Sequence, residues 1–236
     1  MSSENPLGVS CELYARIYYS GIWTFHREIA SREILAEFPD LLFKLLDIGS
    51  GPVPSLPQLL GGKAEYHCLD FYAPALEKLR LDFPACRAVA GEAENLPYAQ
   101  ESFETVLLFG VIHHLENPEK VINEVKRVLK PGGCLWAFEP APYWDGKFPN
   151  PEERGLSSTD LNRIFSPLGE SLLTPMAFIP LWNEIFSQPL IRLKLWETTA
   201  QDPAFWAYLA GLEKAASRLY PEKGTFHLAR VRKKQG

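Results

Sequence analysis

The sequence predicts an α/β protein built on a doubly wound parallel sheet. Two observations carry this reading. Short apolar runs alternate with helical stretches in the order β-α-β-α-β-β-α-β, the pattern of a sheet covered by crossover helices. The first run, ending at Asp47, passes straight into two glycines, Gly49 and Gly51. A glycine turn off the carboxyl end of a parallel strand is where open α/β sheets bind ligands.

The elements follow in order. Residues 1–10 are a frayed end, and 11–40 read as an aromatic, helical N-terminal cap closed by Phe38-Pro39-Asp40. Residues 41–47 are the first strand, apolar enough to be buried on both faces. The glycine turn occupies 48–54, and 55–60 form a short helix stopped by Gly61-Gly62. The second strand is 65–70, followed by a helix with Pro74 in its first turn. The third strand is 86–90, and a loop from Gly91 to Pro97 leads to the fourth, 103–109. The next helix has Asn117 as its cap and Pro118 at its first position, and Val121, Ile122, Val125, Val128 and Leu129 form one apolar stripe. Lys130-Pro131-Gly132-Gly133 stops that helix and turns into the fifth strand, 134–139.

Beyond a proline-rich loop, Ser157 and Asp160 are spaced like a capping box for a helix over 157–168. A strand over 172–179, helices over 181–220 broken at Pro189 and Pro203, and a last strand over 226–232 complete the chain. Four of the six tryptophans, Trp144, Trp182, Trp196 and Trp206, lie between the fifth strand and the last. This aromatic segment, about 180–222, reads as a substrate lid over a hydrophobic or aromatic ligand; packing on the sheet or a homo-oligomer contact are the alternatives.

Bulk properties narrow the function. With 46% hydrophobic residues in 236, the chain can bury a full core. A net charge of −5 argues against a nucleic-acid partner, and the basic end, Arg230 to Lys234, reads as solvated. The four cysteines form no Cys-x-x-Cys pair, so no metal site is expected, and buried, reduced thiols suit a cytoplasmic protein. Neither a leader pattern nor a membrane-spanning run is visible.

The turn itself separates two cofactor classes. A dinucleotide fingerprint requires a third glycine where Pro54 stands, and Pro52 and Pro54 remove two backbone donors that a pyrophosphate would use. A cofactor without phosphates fits better. Asp70, at the end of the second strand, can accept both hydroxyls of a ribose. Glu92 and the Ala93 N–H can border an adenine, and Asp47 can either orient the turn or meet a positive ligand group. His113 and His114 follow the fourth strand and Glu139 ends the fifth, all at the ligand rim; for each taken separately, helix entry or a solvated strand end is the stronger explanation.

Leu46 to Gly51 resembles motif I of class I S-adenosylmethionine-dependent methyltransferases. Gly91 to Tyr98 with Ser102 to Val106, and His113-His114-Leu115 with Val121 to Gly133, are similar to the type-11 subgroup. The resemblance is close over 41–139 and loose over 156–232, and Pro52-Val53-Pro54 departs from the usual glycine-containing continuation. It implies a seven-stranded sheet in the order 3-2-1-4-5-7-6 with an antiparallel seventh strand and helices on both faces. It also implies S-adenosyl-L-methionine as cofactor and a small-molecule methyl acceptor. Gly49 and Gly51 would lie against the methionine part, with Asp47 near its amino group and Asp70 on the ribose. Phe71 and Ala93 would flank the adenine, with Glu92 beside it and Phe109 lining the pocket. His113, His114 and Glu139 would act near the acceptor, with oxygen the first choice of acceptor atom over carbon or nitrogen. Phe109-Gly110-Val111-Ile112-His113 replaces the Asn/Asp-Pro-Pro-aromatic run of enzymes that methylate adenine amino groups. A nicotinamide-dependent oxidoreductase and a non-catalytic cofactor-binding regulator are the competing readings.

Overall fold

The computed structural model describes residues 43–59, 64–142, 155–176, 202–219 and 226–234, with Arg32, Pro189 and 192–195 as isolated pieces. The cap expected over 1–40 therefore lies outside the described residues except at Arg32, as do Trp144, Trp182, Trp196 and the side chain of Trp206.

Seven strands form one sheet in the order β3-β2-β1-β4-β5-β7-β6. They are β1 (Phe43–Ile48), β2 (Ala64–Asp70), β3 (Arg87–Ala90), β4 (Phe103–Phe109), β5 (Leu129–Pro140), β6 (Ser171–Met176) and β7 (Phe226–Arg232). The pairs from β3 through β5 are parallel, while β7 runs antiparallel to both β5 and β6. The order and the reversed last strand agree with expectation. In β1, only Lys44 is exposed, as befits a central strand covered on both faces.

Four described helices flank the sheet: α1 (Ala73–Asp82), α2 (Pro118–Val128), α3 (Ser158–Phe165) and α4 (Pro203–Leu219). Strand alternation divides the core in two. Leu46, Ile48, Val106 and Leu108 face the buried stripe of α2 (Val121, Ile122, Val125, Val128) and Leu161, Ile164 and Phe165 of α3. Leu45, Leu107, Phe109 and Phe138 face the other way, against Leu79 of α1 and, at the margin, Phe205 and Leu212 of α4. The capping box at α3 forms as read: Ser157 Oγ accepts from the Asp160 N–H at 3.1 Å, and Asp160 accepts from the Ser157 N–H at 3.1 Å.

Local details differ from the sequence reading. Asn117 occupies the cap position of α2, but its side chain makes no capping bond. The helix expected at 55–60 is a single 3₁₀ turn, Pro57–Leu59. Strand β5 begins at Leu129, five residues early, because the Pro-Gly-Gly segment bulges within it. Phe103 pairs with Leu129 while Thr105 pairs with Cys134, and Gly132 takes φ +74° to make the excursion. The basic end is not simply solvated: Arg232 donates to the Gly132 carbonyl at 2.8 Å and Lys233 Nζ to the Leu129 carbonyl at 2.6 Å. These bonds satisfy carbonyls that the bulge takes out of the ladder.

Alternating charges also cross five strands. Arg87 meets Glu65 at 3.0 Å, Lys44 meets Glu65 at 3.4 Å, Glu104 accepts from the Lys44 N–H at 2.7 Å, and Lys130 pairs with Glu104. Such exposed pairs add little to stability compared with the core. In urea denaturation, Ile122→Ala is expected to lower the unfolding free energy by about 2–5 kcal/mol, and Arg87→Ala by no more than about 1 kcal/mol. Equal losses would mean that the charge ladder, not the α2 stripe, holds the sheet.

Candidate functional site

Three carboxylates at the carboxyl ends of the strands are buried, and each is satisfied by the turn beside it. Asp47 is fully buried. It accepts from the Ser55 N–H at 2.6 Å, from Ser55 Oγ at 2.8 Å and from the Tyr66 hydroxyl at 2.9 Å. Tyr66 in turn accepts from the Leu56 N–H at 3.0 Å. Burial, and after it the Asp47 charge, push the Tyr66 hydroxyl well above its usual pKa, so it remains a donor. This network folds the Pro52–Pro54 loop back over β1. Of the two roles read for Asp47, orienting the turn is the one this geometry provides, and Asp47 does not line the cavity described next.

Asp70 accepts from the Gly51 N–H and from the Tyr72 N–H, both at 2.8 Å. It thereby ties the turn after β1 to the turn after β2. Gly49 and Gly51 both take positive φ, +71° and +61°. A Cβ on Gly49 would stand 2.6 Å from Val111, so this glycine is required by conformation and by space alike. Burial outweighs the backbone hydrogen bonds at Asp70 and raises its pKa.

These turns wall a cavity of about 360 Å³. Gly49, Gly51, Asp70, Phe71, Glu92, Ala93 and His114 all line it. Phe71 lines the cavity while remaining 58% exposed. Among the lining residues, three are acids, Asp70, Glu92 and Glu94, and none is Lys or Arg.

Phe109 is a correction. It is 3% exposed, lies among the core residues with Phe138 (ring centroids 6.1 Å apart) and does not line the cavity. Alternation along β4 sends it to the same face as Leu107. The chain then leaves the strand through Gly110 at φ +70°, so Gly110 and Val111 form the wall instead. Sequence reasoning missed both, although a glycine immediately after a strand was a usable signal.

Glu139 is also placed differently from a rim residue open to ligand. It is fully buried and lines neither described cavity. Its Oε1 accepts from the N–H groups of Val111 at 3.0 Å and Ile112 at 2.8 Å, and its Oε2 lies 2.6 Å from His113 Nδ1. The turn after β4 is thus wrapped around the end of β5. His113 faces a second cavity of about 380 Å³, His114 faces the first, and their rings lie 3.9 Å apart.

A family profile described as a methyltransferase domain matches residues 46–137. The biotin biosynthesis bifunctional protein BioHC of Cellvibrio japonicus is 41% identical over 91 residues, 38% of this chain and 18% of that protein. The demethylmenaquinone methyltransferase of Chlorobaculum parvum is 31% identical over 100 residues, 41% of each chain. This chain spans about two fifths or less of the length of the curated relatives it matches. In fold, phosphoethanolamine N-methyltransferase 2 of Haemonchus contortus, solved with phosphomonomethylethanolamine and S-adenosylhomocysteine, superposes with a TM-score of 0.62. The identity there is 17%, over 100% of this chain and 59% of that one.

Asp70 generates a pH prediction. Its pKa is raised on folding, so the folded state holds its proton to higher pH than the unfolded state does. The stability it contributes is present when it is protonated and is lost as pH rises through the folded pKa. In urea denaturation between about pH 4 and pH 7, unfolding free energy of the ligand-free protein relative to Asp70→Asn should fall as pH rises. A difference that stays flat or rises would remove burial as the dominant influence on this carboxylate.

Proposed function

We propose that this chain, whose residues 46–137 belong to the class I S-adenosylmethionine-dependent methyltransferases of the type-11 subgroup, transfers a methyl group from S-adenosyl-L-methionine to a small-molecule acceptor. The observation that carries the proposal is the cavity beyond the parallel strands, lined by acids without a single Lys or Arg. A sulfonium with an α-amino group is favoured by that wall, whereas a pyrophosphate would be repelled and would meet a loop short of N–H donors. This also speaks against a nicotinamide cofactor.

S-adenosyl-L-methionine, when bound, supplies an already activated methyl. The residues are assigned as follows. Gly49 and Gly51 bring bare backbone against the methionine part. Asp70 accepts the ribose hydroxyls; each of its oxygens holds one N–H and retains acceptor capacity. Phe71 and Ala93 flank the adenine, and Glu92 borders it. Asp47 acts through the turn that it shapes.

For an acceptor placed in the second cavity, which His113 lines and which shares Leu115 with the first, His113 is the general base and Glu139 the residue that positions it. With Nδ1–H directed at the Glu139 carboxylate, the neutral imidazole carries its lone pair on Nε2. That nitrogen can take the proton of an acceptor hydroxyl as the oxygen becomes nucleophilic, which favours O-methylation. His114, on the cavity wall, stands beside the transfer path. For a lid over an apolar or aromatic acceptor, α4 offers the exposed Tyr208, while its part-buried Phe205 and Leu212 pack against the core of the sheet. The buried thiols Cys68, Cys86 and Cys134 fit the reducing cytoplasm read from the sequence.

Calorimetric titration with S-adenosylmethionine, S-adenosylhomocysteine and NAD tests the cofactor. Micromolar binding of the first two and none of NAD is expected; binding of NAD alone, or of none, would sink the reading. Asp70→Ala should weaken binding of S-adenosylhomocysteine by about 1.5–3 kcal/mol, roughly 10- to 150-fold. Radiolabel transfer to hydroxylated acceptors tests turnover and separates an enzyme from a binding subunit. His113→Ala should slow it by about 10²–10⁴-fold with cofactor affinity nearly unchanged. A variant that loses affinity but turns over normally once saturated removes the base assignment.

A further inference from the structure

The loop between β3 and β4 carries Glu92, Ala93 and Glu94 into the cavity, yet has little backbone pairing of its own. Within residues 91–98, Gly91 N–H reaches the Asp70 carbonyl, Asn95 N–H the Glu92 carbonyl and Tyr98 N–H that of Leu96. Its other polar anchors come from α2, and all but one of them from the turn that carries Glu124 and Arg127. Arg127 Nη1 donates to the Tyr98 carbonyl at 2.6 Å, and Nη2 donates to the Leu96 carbonyl at 2.9 Å. The same guanidinium is held by Glu124, through Nε to Oε1 at 2.7 Å and Nη2 to Oε2 at 2.7 Å. Glu124 Oε2 also accepts from the Leu96 N–H at 2.8 Å. Leu96 itself is 3% exposed and lies in the core cluster that contains Val121, Ile122 and Val125.

The arrangement is more than a surface ion pair. Two loop carbonyls and one loop N–H converge on a bidentate carboxylate–guanidinium pair, the geometry for which Arg is suited and Lys is not. Arg127 beside Glu124 also holds that carboxyl below its usual range. Neither residue lines the cavity. Further up α2, Lys120 reaches Glu94 at 3.2 Å, but that contact is exposed and adds little.

We propose that Glu124 and Arg127 are positioning residues for the adenine end of the cofactor cavity. They clamp loop 91–98 to α2 and so set the affinity for an adenosine-bearing ligand without touching it. The proposal rests on the cofactor reading given above. Clamping stores the ordering cost of the loop in the fold, so that binding does not have to meet it. Loss of the clamp should therefore weaken adenosine and S-adenosylhomocysteine by the same factor, because the methionine end is held by the turn after β1.

The test uses the full chain. Arg127→Lys retains the charge but cannot span both carbonyls and both carboxylate oxygens. It is expected to speed amide hydrogen exchange across residues 92–98, while β4 remains protected. It should weaken both S-adenosylhomocysteine and adenosine roughly tenfold by calorimetry. Ile164→Val, a core change on α3 that lines no part of the cofactor cavity and makes none of the clamp's hydrogen bonds, serves as the control for general destabilisation and should leave both affinities in place. If Arg127→Lys fails to fold, Glu124→Gln carries the same expectations. Faster exchange with unchanged affinity, or the same loss of affinity in Ile164→Val, would overturn the clamp. Failure of the wild-type chain to bind S-adenosylhomocysteine would instead overturn the cofactor reading, a result distinct from either.

Discussion

A fully buried carboxylate must be surrounded by donors, and the ligand side of this sheet is arranged around that requirement. Asp47 is the clearest case: two Ser55 groups and the Tyr66 hydroxyl occupy its oxygens. Removing water from an anion is costly, so the loop that brings Ser55 back to Asp47 has little freedom to be anywhere else. Asp70 repeats the device with the N–H groups of Gly51 and Tyr72. Glu139 repeats it with Val111, Ile112 and His113. Turns after β1, β2 and β4 are each pinned by an acid at a strand end, and in two cases the acid belongs to a different strand from the turn it holds.

Of these three acids only Asp70 reaches the cavity, where Glu92 and Glu94 of the loop after β3 join it. No Lys or Arg is among the lining residues to offset them. A phosphate group would have to overcome both that charge and the missing amide donors of Pro52 and Pro54. Only at Asp70 do position and selectivity have one origin: it ties two turns together and, with Glu92 and Glu94, biases the site toward a cationic, ribose-bearing ligand, as the proposed methyl transfer requires.

Much of this was legible in the chain. Every described strand was found, all but the start of β5 within three residues of its place, because apolar runs bounded by Gly, Pro and acids mark central strands strongly. Six of the eight residues read as cofactor contacts, Gly49, Gly51, Asp70, Phe71, Glu92 and Ala93, line the cavity, as does His114, which was read near the acceptor; Asp47 lies beneath the turn instead. Phe109 does not line it, because one residue of alternation decides which face a strand side chain takes, and the exit of the chain through Gly110 could not be read from the apolar run alone. Glu139 and His113 were read as separate rim residues. Their 2.6 Å contact depends on β5 lying beside β4, a matter of sheet register.

By itself, the sequence determined the order of elements, the glycine-lined turn and the acids at the strand ends. These are properties of consecutive residues: hydrophobic period, conformational freedom and charge. The tertiary structure alone decided what each acid binds. Asp47 meets Tyr66, Asp70 meets Gly51, Glu139 meets the 111–113 turn and Glu124 meets Leu96, each between segments far apart along the chain. A carboxylate in a sequence carries no record of its donors. They are chosen only when the sheet closes, water leaves, and the buried charge has to be satisfied by whichever N–H and O–H groups the fold has brought within reach.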